Sequence, residues 1–81
     1  MDKSEQYVID AVKKLRKEYT MTQRQLAAIL SVSVSFIGNV ENEKNIAKYN
    51  IKHVALIIQH FKVSPTVFFN DVDVEKRTKK D

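Results

Sequence analysis

An all-α fold of five short helices is what this chain of 81 residues predicts. Three observations carry that prediction. Apolar residues recur at three- and four-residue spacing from Val8 to Phe69, the spacing that lines one face of a helix. Thr22, Ser33, Asn50 and Ser64 stand ahead of successive apolar runs, and each has a side-chain oxygen able to cap free backbone N–H groups. Between the second and third runs lie only about three residues, the length of a tight helix-to-helix turn.

Helix one is expected from about Ser4 to Tyr19, with Val8, Ala11, Val12, Leu15 and Tyr19 at helical spacing and Lys13, Lys14 and Lys17 displayed outward. Helix two starts after Thr22, which is followed three residues later by Gln25, the spacing of a capping box. Leu26, Ala27, Ile29 and Leu30 give it one apolar face, with Ala27 small enough for a second helix to approach closely. The period lapses at Ser31 and Val32, and Ser33 caps helix three. There Ile37 and Val40, with Phe36 beside them, face the core, while Val34, Ser35, Gly38, Asn39 and Asn42 fall on the opposite side. Helix four follows Asn50, buries Ile51, Val54, Ala55, Ile58 and Phe61, and finishes at Lys62. Ser64 caps a short fifth helix with Pro65 at its first position, where a missing N–H does no harm, and Val67, Phe68 and Phe69 form its apolar side. Residues 1–70 thus form one domain. Residues 71–81 read as a charged, frayed tail, in which Val72 and Val74 alternate with acidic residues at the spacing of a short strand.

Composition bounds the function. A hydrophobic content of 43% supplies one modest core. No Cys is present, which excludes a disulfide framework and Cys-containing zinc sites and suits a reducing cytoplasm. There is neither an apolar run of membrane-spanning length nor a signal-peptide pattern, so a cytoplasmic protein without membrane contact is expected. The net charge is +4, and because the four acidic and four basic residues of 71–81 cancel, the whole excess lies on the folded part. That distribution is compatible with a phosphate-binding face. His53 and His60, seven residues apart on one helix, lie about 10 Å apart along it, too far to share a metal ion. No nucleophile, base and orienting residue form a set and no Gly-rich phosphate loop is present, so neither an enzyme nor a cofactor is expected.

Helices two and three, joined so tightly, read as a helix-turn-helix, and that geometry implies DNA. The outward side of helix three is uncharged and made of short side chains, unlike the Lys- and Glu-rich face of a solvated helix. In order and spacing, several short strings resemble the phage repressor and Cro-like helix-turn-helix proteins of the Xre type. They are Leu15-Arg16, Met21-Thr22-Gln23 with Leu26-Ala27, Val32-Ser33, Ile37, Glu41-Asn42 with Lys44, and Phe61-Lys62-Val63-Ser64. The resemblance runs from about Leu15 to Phe69 and implies a compact lambda-repressor-like DNA-binding domain.

By that resemblance Gln23, at the first position of helix two, meets a phosphate oxygen through its amide and the helix N-terminus, and Arg24 either reinforces it or is simply solvated. Asn42, Lys44, Asn45 and Lys48 flank the adjacent backbone, giving salt-dependent affinity without reading sequence. Base reading falls to Val34, Ser35 and Asn39. Asn39 suits the adenine N6 and N7 edge and Val34 a thymine methyl, so a half-site weighted towards A and T is expected. Arg16 and Glu41 match a pair that forms a salt bridge between helix one and the end of helix three. Ile57, Val67, Phe68 and Phe69 exceed what a small core covers, although one of Phe68 and Phe69 closes that core in either case, and the surplus implies a homodimer, which sets two recognition helices about one DNA turn apart. A transcriptional regulator at a double-stranded operator follows, a repressor first, acting by occupying DNA or by touching RNA polymerase. The competing class is an interaction module or antitoxin-type partner that keeps the fold with weak or no DNA binding.

The chain departs from the resemblance at glycine. Ser31, Glu43 and Lys62 occupy places where such proteins often carry a left-handed Gly, a conformation that costs a residue with Cβ roughly 1 kcal/mol or more. Gly38 instead stands inside the recognition helix, at a cost of about 1 kcal/mol relative to Ala. Close approach to DNA and a substitution of no consequence both account for it.

Overall fold

In the computed structural model, which describes residues 2–44 and 46–69, local capping chemistry starts every helix. Asp2 precedes α1 (Lys3–Glu18), and the Glu5 N–H donates to its carboxylate at 2.8 Å while the Asp2 N–H donates back to Glu5. Thr22 and Gln25 make the same reciprocal pair ahead of α2 (Gln23–Leu30), at 3.0 and 2.8 Å. Ser33 accepts from the Phe36 N–H at the start of α3 (Val34–Glu41). Asn50 pairs with His53 ahead of α4 (Ile51–Phe61). Each box satisfies two of the backbone donors that a helix start leaves free.

The expected fifth helix is a single 3-10 turn, Pro65–Phe68, capped by Ser64. The fold among the described residues is therefore four α-helices and this turn. Asn45 and the proposed tail with its Val72 and Val74 alternation lie outside the described residues.

The core is built from Ile9, Val12 and Leu15 of α1, Leu26, Ala27 and Leu30 of α2, and Ile37 and Val40 of α3. Tyr49, Ile57, Phe61 and Phe68 complete it. α2 packs against α3 and α4, and α1 against α3 and the 3-10 turn. Tyr19, expected inside, is mostly exposed, with only its ring edge against Phe61 at 4.8 Å.

Helix α4 faces the core differently from the expectation. Ile51 is 89% exposed and Ala55 is exposed, whereas Ile57 is fully buried. Apolar residues surround most of this helix, so its period admits more than one orientation. Packing settles the Ile57 and Phe61 side inward, keeps Val54 and Ile58 half-buried against the core as expected, and turns Ile51 and Ala55 outward. Two of the four residues assigned to a dimer surface are thereby corrected. Ile57 at 0% and Phe68 at 1% exposure are core, where no partner reaches them, and Val67 and Phe69 are left exposed.

Candidate nucleic-acid interface

Two backbone reversals bring the helices of the motif together. After α2 the chain turns at Ser31, in the left-handed region with φ 56°, and the Val32 N–H donates back to the Ala27 carbonyl at 3.0 Å. After α1, Thr20 takes the same conformation at φ 51°, and the Met21 N–H donates to the Arg16 carbonyl at 2.9 Å. Lys62 ends α4 likewise at φ 55°. Ser31 and Lys62 thus keep the left-handed conformation of the glycine whose place they take, Glu43 does not, and Thr20 joins them.

The side chain that ties the motif to the scaffold is Arg16. Its Nε donates to Glu41 Oε2 and its Nη2 to Glu41 Oε1, both at 2.8 Å, while Nη1 donates to the Met21 carbonyl at 2.8 Å. Gln23 Nε2 donates to Glu41 Oε1 at 3.0 Å. One carboxylate therefore joins α1, the start of α2 and the end of α3 in a nearly dry setting, with side-chain exposures of 12% for Arg16 and 5% for Glu41. Burial alone pushes the Glu41 carboxyl up. The hydrogen bonds of Arg16 and Gln23 and the charges of Arg16 and Lys13 outweigh it and hold the carboxyl below its ordinary value.

Of the base-reading candidates, Ser35 and Asn39 are exposed one turn apart on α3, in the open stripe that Asn42 continues. Val34 is only half exposed and packs partly against the core, so less of it faces outward than its position implied. Gly38 has an ordinary helical backbone, and a Cβ there would meet only Gln23 Oε1, at 3.9 Å. Nothing among the described residues demands glycine at this position.

The phosphate candidates divide. Gln23 has one amide N–H on Glu41 and a second left over, and Arg24 beside it is exposed. Asn42 uses its side-chain oxygen on the Lys44 N–H at 3.0 Å, shaping the loop, and both residues are exposed. Lys48 forms an ion pair with Glu5 of α1, a partner 43 residues away that no local pattern signalled. Three rings, Phe36 of α3 with Tyr49 and His53, lie within 5.3 to 6.1 Å of one another behind the recognition helix.

A family model described as helix-turn-helix matches residues 12–68, from the middle of α1 to the last residue of the 3-10 turn. The chain belongs to the Xre and Cro-like helix-turn-helix family. This is a DNA-binding regulatory family and not an enzymatic one. No curated protein and no solved structure matches the chain. Among the described residues of this helix-turn-helix protein, no group of three or more His, Cys, Asp or Glu is placed to hold a metal ion. None of its described helices is long and apolar enough to cross a membrane.

Proposed function

We propose that the protein is a sequence-specific transcriptional regulator that binds double-stranded DNA as a homodimer at an operator near a promoter, with repression as its usual sign. The carrying observation is the exposed, uncharged Ser35 and Asn39 pair on a short helix whose far end is clamped by Arg16 and Gln23 through Glu41. A short, neutral face on a held helix suits a groove floor read through adenine and thymine edges, with polar and charged side chains at the rims for the phosphates. Arg24, Asn42 and Lys44 supply such a rim.

Asn39 is the principal reader, paired to adenine, with Ser35 permissive, so the half-site is A/T-weighted. Regulation follows from occupying DNA or from a contact with RNA polymerase. Exposed Val67 and Phe69 support self-association.

Selection of sites from a random duplex pool tests this reading. A two-fold symmetric, A/T-weighted motif is the expected result. Failure to enrich any motif at low salt overturns it in favour of an interaction module, and an invariant G·C core overturns the assignment of Asn39.

A further inference from the structure

One side of α1 carries positive charge that no described carboxylate pairs with. Lys13 lies three residues before Arg16 and Lys17 one residue after it, and the four-residue spacing of the two lysines sets them on one side of the helix, next to the Arg16 hub. Arg16 itself is committed to Glu41 and to the Met21 carbonyl. Lys13 is half-buried at the edge of that hub, close enough for its charge to act on Glu41. Lys17 is exposed one turn further along. Asp10 and Glu18 share a shallow groove with them, yet neither lysine makes an ion pair among the described residues.

Through Glu41 the same hub holds Gln23, the first residue of α2, with exposed Arg24 beside it. Lys13 and Gln23 therefore stand at the same hub, where the end of α1 meets the start of α2, with Arg24 next to Gln23 in the chain and Lys17 one turn along α1 from Lys13. Lys48 is different, because Glu5 already neutralises it. Lys14 borders the same shallow groove as Lys13 and Lys17 but is turned about 100° round α1 from Lys13, and it also lines the groove between α1 and the 3-10 turn, with Tyr7, Glu18 and Val67.

We infer that Lys13 and Lys17 of α1 are DNA-phosphate contacts that extend the edge begun by Gln23 and Arg24, and that Lys48 lies outside the footprint. The inference rests on the DNA-binding reading above. Long, mobile ammonium groups without a carboxylate partner keep their counterions until a phosphate displaces them, and that release appears as salt dependence. A neutralised lysine such as Lys48 has little to release.

The test titrates the full chain against a mixed-sequence duplex between about 50 and 200 mM salt and reads the slope of log affinity on log salt. Replacing both lysines (Lys13→Gln with Lys17→Gln) is expected to flatten the slope by roughly 1.8, at about 0.9 per phosphate lost. Lys14→Gln and Lys48→Gln are expected to leave it unchanged. A flattening below about 0.9 in the double variant overturns the inference, as does an equal flattening per lysine in Lys14→Gln, which would make the effect one of net charge alone. Thermal unfolding of each variant verifies that these surface changes leave the fold intact. The two readings fail differently. A native chain that binds no duplex at low salt removes the DNA-binding reading and this inference together, whereas normal native binding weakened by Gln23→Ala but indifferent to the lysines removes this inference alone.

Discussion

Thr20 is a β-branched residue in the left-handed backbone region, and Gly38 is the protein's one glycine, set in the middle of a helix. Each residue stands where the other's properties would serve the backbone better. A Cβ at positive φ is crowded by the neighbouring carbonyl, whereas glycine in a helix gives up the most chain entropy. Around Gly38 there is room for a methyl group, with Gln23 Oε1 the nearest atom at 3.9 Å. Thr20→Gly and Gly38→Ala are each predicted to raise stability by about 1 kcal/mol. Because they lie on separate elements, the double variant should gain nearly the sum. Urea unfolding of the three variants measures this, and a loss of stability in Gly38→Ala would show that the recognition helix needs glycine for packing after all.

At the scale of the element, α4 depends on a histidine in a place where a capping box usually has Glu or Gln. His53 Nδ1 accepts from the Asn50 N–H at 3.1 Å, which requires that nitrogen to be unprotonated. Burial, with the charge of neighbouring Lys52, lowers the His53 pKa below its ordinary value. A group whose pKa is depressed on folding stabilises fully above its unfolded value, about 6.5, and loses that contribution as pH falls through the lower folded value. Stability is therefore predicted to decline on acidification below about pH 6.5, before carboxylates titrate. His53→Gln keeps an acceptor for the box without a proton to gain, so its stability should be flat through that window. Thermal unfolding between about pH 7 and pH 5 checks the difference. An identical decline in the variant would assign the effect to another group.

For the whole molecule the decisive contact is Glu41, where three helices meet in one carboxylate. Removing one partner of a mostly buried ion pair leaves the other charge uncompensated, at a cost of about 3 kcal/mol. Glu41→Ala leaves Arg16 with only the Met21 carbonyl and releases Gln23. The predicted outcome is a large loss of unfolding free energy with the selected DNA motif unchanged, since Ser35 and Asn39 are untouched. Chemical denaturation and site selection on the same variant separate the two effects, and unchanged stability would remove the clamp from the account of how α3 is held.

What the sequence by itself determined is where α2, α3 and α4 start and the turn between α2 and α3. Thr22 with Gln25, Ser33, Asn50 and Ser64 act on backbone groups two or three residues away, so their effect is legible without knowledge of the fold. The Arg16 and Glu41 link was legible only by resemblance, and the position of Gln23 on the same carboxylate was not anticipated. Tertiary structure alone decided which side of α4 turns inward, since Ile51, Val54, Ala55, Ile57 and Ile58 give that helix two apolar sides and packing against α2 selects one. It also decided that Phe68 closes the core while Phe69 does not, and that Lys48 meets Glu5. Caps and turns are set by neighbours in the chain, whereas burial of one apolar side over another and pairing of distant charges depend on which surfaces the completed fold brings together.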